Sequence, residues 1–366
     1  MIRTLLPALT SFLALFLLTG CGGGSTTATP ETDADADYTP PVPVNPLGAD
    51  TAAAATALLA ANADKNAIRG EGDWLFSPNE LRFLSKGEFW GARSAQTSAA
   101  ANKSWADPLL GINSFQNNLT AKGIELIILP VPPKATVYPD KLPGMAAPQA
   151  SDALPRFIKY LRESGIQVVD LTAAMTKARS SKPMHCTTDT HWSPQAIELA
   201  ADTLYNQLKG KPWAAGIAKE TYDVEEKTIS YPGDLVELSG ESIAAESFTV
   251  RRVTKGGAVL PEDPDSPILV MGDSHTLFCH EPNMVTNGAG LSDHLALRFG
   301  CPIDLLGIKG SASSATRQTL LSRKNRAQKA GNDYLGKKKV IIWCFTAREF
   351  TESTGGWRDL DPKYWK

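Results

Sequence analysis

The stretch from residue 267 to residue 276, Pro-Ile-Leu-Val-Met-Gly-Asp-Ser-His-Thr, constrains the possible fold more than any other part of the chain. Residues 268–271 are consecutive apolar side chains, which is typical of a strand buried on both faces of a sheet. Gly272 breaks this run, and the residues after Ser274 fit the first turn of a helix. We therefore predict that Ser274 lies at a strand-to-helix turn, where free backbone N–H groups at the helix N-terminus can stabilise an oxyanion.

The chain before this serine alternates helical and strand patterns. Apolar residues recur at helical spacing around residues 112–119 and 157–161, and apolar runs follow them at 124–129 and 166–171. Pro130, Pro132 and Pro133 are expected to end the first of these strands, because proline cannot donate a ladder hydrogen bond. Repeated helix-then-strand units predict an α/β fold with a parallel sheet flanked by helices.

The second half of the chain continues this rhythm after an interruption. A third helix is predicted over residues 193–208, which open with a serine N-cap and a proline. From residue 213 to residue 265 the helical periodicity fades, and short runs of strand-forming residues predict a strand-rich insertion. Further strands are expected at residues 303–306 and 340–345.

The N-terminal segment has the composition of an export signal and a tether. Residues 1–20 contain one charged side chain and a long apolar core, which is typical of a secretory signal peptide. Leu-Thr-Gly-Cys before residue 22 resembles the bacterial lipobox, in which Cys21 becomes the lipid-bearing first residue; the alternative is an ordinary signal peptide with a chance cysteine. Residues 21–50, rich in Gly, Thr, Asp and Pro, are predicted to be a disordered tether, which leaves residues 51–366 for the α/β domain.

The predicted address is the periplasm, with a lipid anchor in the inner leaflet of the outer membrane. Gly22 follows the lipobox cysteine, whereas the bacterial pattern for inner-membrane retention has an aspartate there. In an oxidising compartment we expect at least one disulfide, of open connectivity, among the cysteines that remain. These are Cys186, Cys279, Cys301 and Cys344.

A candidate base for Ser274 lies in the sequence Thr-Asp-Thr-His-Trp-Ser-Pro at residues 188–194. Asp189 and His191 are two residues apart, so in an extended segment their side chains point the same way. The carboxylate can then orient one imidazole nitrogen, which leaves the other nitrogen to activate a serine. The predicted catalytic residues are Asp189, His191 and Ser274, in the chain order acid, base and nucleophile.

Gly-Asp-Ser-His at residues 272–275, together with Asp-Thr-His-Trp at 189–192, resembles the alginate O-acetyltransferase family of the AlgJ/AlgX type. The resemblance runs from about residue 70 to residue 350 and includes Pro-Val-Pro-Pro-Lys at 130–134 and Gly-Asp-Leu at 233–235. It implies an SGNH-hydrolase-like fold in which the Asp-x-His pair precedes the serine. That order resembles a circular permutation, because the pair follows the serine in ordinary SGNH hydrolases.

The resemblance also implies a function. Family members of this type are periplasmic O-acetyltransferases that move an acetyl group to hydroxyls of an exported, alginate-like polysaccharide, and an acetyl-serine intermediate is expected here. The expected partners are the polysaccharide acceptor, a membrane-bound O-acyltransferase as acetyl donor, and the membrane through the lipid anchor, without a cofactor or a metal. Nucleic acid is not an expected partner, because the formal net charge is -2 and no basic block stands out.

Roles are also predicted for four further residues. The resemblance implies that Asp273 braces the serine turn through backbone hydrogen bonds. Gly310 is a candidate for the second oxyanion amide, with a plain turn glycine as the alternative. Lys134 and Arg348 are expected to have solvated or structural roles, with contact to a uronate carboxylate as the alternative. The AlgX-like members also have a carbohydrate-binding module after the catalytic domain, so this chain, which ends soon after residue 350, is closer in extent to the AlgJ-like members.

Three other functions remain open from the sequence. A carbohydrate acetylesterase of the same fold would use the same triad. A metal-dependent hydrolase would use the two Asp-x-His pairs, Asp189 with His191 and Asp273 with His275, as ligands. A non-catalytic glycan-binding lipoprotein would retain the triad without using it. Sensitivity to chelators and to serine-directed reagents would separate these possibilities.

Overall fold

The computed structural model describes residues 46–145, 147–150 and 152–365. The predicted signal peptide, Cys21 and residues 21–45 of the predicted tether lie outside the described residues. The first helix begins at Pro46, so residues 46–50, predicted as tether, are helical. The alanine-rich sequence that follows has a high helix propensity, which favours this earlier start.

The described residues form short strands and helices in mixed order along the chain. The strands are β1 Ile68–Arg69, β2 Leu75–Phe76, β3 Glu125–Val131, β4 Gln167–Val168, β5 Asp223–Tyr231, β6 Glu246–Lys255, β7 Ala258–Val259, β8 Ile268–Gly272, β9 Asp304–Gly307 and β10 Val340–Thr346. The helices are α1 Pro46–Ala61, α2 Pro78–Ser85, α3 Ser94–Thr97, α4 Pro108–Thr120, α5 Lys134–Val137, α6 Ala153–Glu163, α7 Thr172–Ala178, α8 Pro194–Leu208, α9 Pro212–Ala215, α10 Asp234–Ser239, α11 Ser274–Leu277, α12 Leu291–Phe299, α13 Ser314–Lys329 and α14 Glu349–Glu352.

A parallel sheet in the order β4-β3-β10-β8-β9 forms the centre of the domain. All five residues of β8 and all seven residues of β10 are buried, as expected for strands covered on both faces. The carboxyl ends of these strands therefore meet at one edge of the sheet. The predicted α/β fold, a parallel sheet flanked by helices, is confirmed.

Helices cover both faces of this sheet because alternate strand residues point to opposite sides. On one face Ile127, Val270 and Ile342 pack in a cluster with apolar residues of α8 and α12. On the other face Ile128 and Trp343 pack in a cluster with apolar residues of α4, α6 and α13. The helical faces predicted around residues 112–119 and 157–161 belong to α4 and α6 and are buried in this second cluster.

Of the three prolines expected to end this strand, Pro130 does not do so. Strand β3 continues through Pro130, which is paired with Phe345 of β10, and ends at Val131, directly before Pro132. The carbonyl of Ile128, two residues earlier, accepts from Val169 on the β4 side. The missing N–H of Pro130 therefore faces the β4 side beyond the end of that short strand, where no ladder bond is lost.

The insertion predicted over residues 213–265 is rich in strands, as expected. Strands β5, β6 and β7 form an antiparallel sheet, with β5 and β6 paired along their full lengths. Phe248, Val250 and Val253 of β6 pack into the core on the side of α8 and α12. Helix α10 lies between β5 and β6 in the chain, and its first residue, Asp234, contacts Asp189.

The expectation of a disulfide is wrong for the described residues, in which Cys186, Cys279, Cys301 and Cys344 are all unpaired and buried. Each thiol is packed into the core instead, and the Cys186 thiol donates to the carbonyl of Trp192 at 3.5 Å. Within the described part of the chain, no helix combines the length and apolarity needed to cross a membrane.

Candidate active site

The serine turn is built by the close approach of β8 and β10. Gly272 is paired with Cys344, and a Cβ atom at Gly272 would lie 1.5 Å from the Cys344 carbonyl oxygen. Glycine is therefore required where β8 ends. Asp273 then caps α11, and Ser274 is the first residue of that helix. Ser274 is partly exposed between buried neighbours, so its hydroxyl is accessible at the carboxyl edge of the sheet.

Asp273 braces this turn, as the family resemblance implied. One carboxylate oxygen accepts from the backbone N–H of His275 at 2.8 Å, and the other accepts from the N–H of Thr346 at 2.8 Å. Burial opposes ionisation of Asp273, but His275 and the two backbone donors lower its pKa to about 2. The ionised carboxylate thus fastens the serine turn to the end of β10.

Asp189 and His191 lie on a hairpin that precedes α8. An antiparallel bridge between His185 and Trp192 closes this hairpin, and residues 187–190 form its tip. The tip is a series of bends rather than the extended segment expected from the sequence. A carboxylate oxygen of Asp189 accepts from the backbone N–H of His191 at 2.8 Å, and this tight turn brings the two side chains together.

The structure brings the three predicted side chains into one hydrogen-bonded chain. His191 Nδ1 donates to Asp189 Oδ1 at 2.6 Å, and Ser274 Oγ donates to His191 Nε2 at 2.8 Å. The carboxylate thereby selects the tautomer in which Nε2 is free to accept a proton from the serine. This geometry is that of an activated serine nucleophile.

Electrostatic interactions stabilise the charged forms of Asp189 and His191. Asp189 is fully buried, and burial opposes its ionisation, but the charge and hydrogen bond of His191 and two backbone donors lower the pKa of the carboxyl. Burial also opposes the charged form of His191, yet the carboxylates of Asp189, Asp234 and Asp273 raise its pKa above 6.5. An imidazolium formed during proton transfer is therefore stabilised in place.

The insertion supplies an anchor that sequence reasoning missed. The backbone N–H of Asp234 donates to Asp189 Oδ2 at 2.9 Å, and the Asp234 carboxylate accepts from the N–H and hydroxyl of Thr190 at 2.8 and 2.6 Å. Gly233 has φ +76, and a Cβ atom there would lie 2.3 Å from the Thr188 carbonyl oxygen. The Gly-Asp-Leu motif at residues 233–235 was the sequence feature that could have indicated this anchor. Its contact with Asp189 explains why the motif belongs to the site.

Aromatic rings enclose the imidazole of His191. Phe278 stacks on it with ring centroids 4.7 Å apart and an interplanar angle of 7°. The ring of His275 lies 4.7 Å away on a tilted plane. Tyr231, at the end of β5, lies edge-on to Phe278 with ring centroids 6.2 Å apart, and burial and the nearby Asp189 carboxylate raise the pKa of its phenol. These rings limit access of water to the base.

The side chains do not fit a metal centre. Ligand atoms of Asp189, His191 and Asp234 lie within 4.8 Å of one another. However, His191 Nδ1 and the backbone N–H groups of His191 and Asp234 occupy the Asp189 carboxylate, and Ser274 occupies His191 Nε2. Both oxygens of Asp273 are also bound by backbone N–H groups. In the second pair His275 Nδ1 has no hydrogen-bond partner among the described residues, but a single free nitrogen does not make a set of metal ligands.

Three other predicted residues lie near the same sheet edge in different surroundings. Gly310 follows β9, the neighbour of β8, and is exposed with φ +79; its role in oxyanion binding stays a prediction. Lys134 is only 2% exposed, so the suggested contact with a uronate carboxylate is wrong for this residue. Arg348, directly after β10, is partly exposed.

Comparison with known proteins places this chain in a family. The family model described as SGNH hydrolase-like domain, acetyltransferase AlgX, matches residues 67–299. The curated protein "Probable alginate O-acetylase AlgJ" of Pseudomonas putida is 25% identical over 265 residues, which cover 68% of this chain and 64% of that protein. The chain thus spans less than two thirds of the length of this relative.

Two solved structures share the fold. The O-acetyltransferase domain of Pseudomonas putida AlgJ superposes with a TM-score of 0.59 at 20% identity, covering 82% of this chain and 97% of that domain. Pseudomonas aeruginosa AlgX superposes with a TM-score of 0.54 at 19% identity, covering 82% of this chain and 66% of that protein. The family match across most of the domain shows that this chain belongs to the SGNH hydrolase-like family of the acetyltransferase AlgX.

Proposed function

We propose that this protein is an O-acetyltransferase that moves an acetyl group to hydroxyls of an exported, alginate-like polysaccharide through an acetyl-Ser274 intermediate. The observation that supports this most directly is the hydrogen-bonded chain from Asp189 through His191 to Ser274. The names of its relatives, alginate O-acetylase and acetyltransferase, support the choice of acyl group and acceptor.

In the first half of the reaction, Ser274 Oγ attacks the carbonyl carbon of the acetyl donor and its proton passes to His191 Nε2. The tetrahedral intermediate places its oxyanion beside the backbone N–H of Ser274 at the start of α11, because the N–H groups of His275 and Thr276 are already bonded to Asp273. The bond to the leaving oxygen then breaks, and His191 gives its proton to that oxygen. The products of this half are acetyl-Ser274 and the deacetylated donor.

In the second half, the acceptor hydroxyl attacks the acetyl-serine and its proton passes to His191 Nε2. The bond between the acetyl carbon and Ser274 Oγ breaks, and Oγ recovers the proton. Water could perform the same attack, which would make the enzyme an esterase. Transfer therefore requires that a sugar hydroxyl is held in position, since positioned groups reach effective concentrations of about 10⁵ M or more.

The test uses 4-nitrophenyl acetate as donor, with and without polymeric glycans that include deacetylated alginate. The proposal predicts acetyl groups on a polymer, detected by mass spectrometry, and an acetylated Ser274 peptide after rapid quenching. Ser274→Ala should abolish both. The matched control is Ser322→Ala, which removes an exposed hydroxyl on α13 that donates only to the Gln318 carbonyl. Release of free acetate with every glycan left unmodified would favour the acetylesterase.

The location and the donor belong to the same proposal. We propose that the protein works in the periplasm, attached through a lipid on Cys21 to the inner leaflet of the outer membrane, on the strength of the lipobox-like sequence. A membrane-bound O-acyltransferase would then supply the acetyl group. The family resemblance supports this donor, because an exported enzyme needs acetyl groups delivered across the inner membrane.

A further inference from the structure

A buried lysine, Lys134, contacts the backbone of Asp189, the acid of the triad. Lys134 begins α5, just after β3, at the carboxyl edge of the sheet. Its Nζ donates to the backbone carbonyls of Leu75 at 2.7 Å, Thr187 at 3.2 Å and Asp189 at 2.7 Å. Donation of three hydrogen bonds requires the ammonium form, since a neutral amine has only two hydrogens.

The charge of Lys134 is not used in a direct ion pair within the described part of the chain. Burial lowers the pKa of Lys134, and this effect is opposed by the negative charges of Glu80, Asp189 and Asp234. Its surroundings also include His185, whose pKa is lowered by burial and by the Lys134 charge, and Glu246, whose pKa is raised by burial against the opposing charge of Lys134. Because Lys134 donates all three of its hydrogen bonds to backbone carbonyls, it fixes the position of the backbone at those carbonyls.

The segment that Lys134 fixes is the tip of the histidine hairpin, residues 187–190. Glu246 holds the start of this tip by accepting from the N–H and hydroxyl of Thr187, and Asp234 holds its end at Thr190. Between them, the carbonyl of Asp189 accepts from Lys134. The backbone of the residue whose side chain orients His191 is thus set by the lysine.

We propose that Lys134 is a positioning residue, whose ammonium group fixes the Asp189 backbone so that the Asp189 carboxylate meets His191 Nδ1 at hydrogen-bond distance. The catalytic meaning of this role rests on the proposed function. The structural role does not, because it concerns only the contact between Asp189 and His191.

The titration of His191 distinguishes positioning from a simple charge effect. The groups that face His191 are Asp189 on its own hairpin, Asp234 of α10, and Asp273 and His275 at α11; the three carboxylates raise the pKa of His191. Loss of positioning would weaken the Asp189 contact and lower the pKa of His191. Loss of a nearby positive charge alone would raise it.

The experiment measures the pKa of His191 by NMR in protein labelled with ¹³C-histidine. The chain has five histidines, and His191→Gln identifies the signal. We expect Lys134→Met to lower the pKa of His191 by about 1 unit or more. For 4-nitrophenyl acetate, we expect kcat/KM to fall about 10- to 100-fold, mainly in kcat.

The matched control is Lys338→Met at the opposite edge of the sheet. Lys338 is 1% exposed, donates to the carbonyls of Pro264 at 2.7 Å and Ser266 at 2.9 Å, and pairs with Asp304. It precedes β10, so it lies far from Ser274. Lys338→Met should lower the melting temperature and leave the pKa of His191 unchanged.

Each outcome decides the proposal. A pKa of His191 that is unchanged or raised in Lys134→Met would overturn it, whatever happens to thermal stability. If Lys134→Met does not fold, Lys134→Arg provides the same test. This variant keeps the positive charge, but no single nitrogen atom reaches all three carbonyls. A lowered pKa of His191 supports positioning, and an unchanged pKa of His191 refutes it. Failure of both variants to fold would also overturn it. The NMR readout needs no acetyl donor, so it is independent of the proposed reaction.

Discussion

At the scale of single residues, the site depends on one imidazole held between a carboxylate and a hydroxyl. His191 is 7% exposed and Asp189 is fully buried, so their hydrogen bond is screened little by water. The carboxylate raises the pKa of His191, which strengthens the imidazole as a base and stabilises the imidazolium formed when Ser274 is deprotonated. Because this contact raises the pKa of His191, it also sets the pH above which the neutral, basic form of the imidazole is present.

The first prediction follows from this pair. The neutral form of His191 is needed, and its pKa is raised, so kcat/KM should increase with pH through a value above 6.5. Asp189→Asn removes the charge that raises this pKa and allows the wrong tautomer. We expect the acid limb to move to lower pH and kcat to fall about 10⁴-fold. A pH–rate profile with 4-nitrophenyl acetate measures both.

The control for this prediction is Asp202→Asn, which alters a mostly exposed carboxylate paired with Arg298 on the surface of α8. It should leave the rate and the acid limb unchanged. An Asp189→Asn enzyme with the acid limb of the wild type would mean that another group governs the pH dependence.

At the scale of elements, the site depends on the contact between two central strands. Strands β8 and β10 are paired at Gly272 and Cys344, just before Ser274, with no room for a Cβ atom at Gly272. Backbone atoms form this contact, and Asp273 adds a hydrogen bond from the turn to Thr346. The position of the nucleophile is therefore set by strand packing rather than by the helix of four residues that follows.

The second prediction is that Gly272→Ala disrupts this contact. The new methyl group would lie 1.5 Å from the Cys344 carbonyl oxygen, so one of the two strands must shift. We expect a loss of about 3 kcal/mol in the free energy of unfolding, measured by urea denaturation, together with loss of Ser274 acetylation.

Gly210→Ala provides the comparison, because a Cβ atom at Gly210 would meet nothing within 4 Å. Its unfolding curve should overlay that of the wild type. If Gly272→Ala were as stable as Gly210→Ala and still acetylated, the close approach of β8 to β10 would not be a constraint on the site.

At the scale of the whole molecule, three distant segments converge at one edge of the parallel sheet. The hairpin before α8 supplies the acid and base, the turn after β8 supplies the serine, and α10 of the insertion anchors the acid. Convergence follows from the parallel arrangement, since the carboxyl ends of all strands lie together. The proposed acceptor is an exported polysaccharide, so the proposal also requires that this edge of the sheet works in the periplasm.

The third prediction concerns that location. If Cys21 is lipidated, Cys21→Ser should move the protein from the membrane fraction to the soluble periplasmic fraction. Cys301→Ser, which alters a cysteine that is 9% exposed in the folded domain, should leave the protein on the membrane. Detection of both variants by immunoblot after fractionation is sufficient, and membrane-bound Cys21→Ser protein would refute the lipid anchor.

Local sequence patterns were sufficient for the main elements of the fold. Buried strands were predicted from apolar runs at β3, β8 and β10, and the serine N-cap located the start of α8 within one residue. The motifs around Asp189 and Ser274 were enough to predict the family, which the comparisons confirm. These features depend on neighbours in the chain, so periodicity, capping and short motifs reveal them.

How the site is held together depends on contacts of the packed fold. Pro130 fits inside β3 because the adjacent strand is short, and the four cysteines lie unpaired in the core. Lys134 Nζ donates to the Asp189 carbonyl and the Asp234 N–H donates to the Asp189 carboxylate, from positions 55 and 45 residues away in the chain. The residues that could perform the chemistry were identifiable before folding is considered, because side-chain type and local spacing can be read along the chain. The contacts that orient those residues join distant segments, and such contacts exist only once the sheet and the insertion have packed.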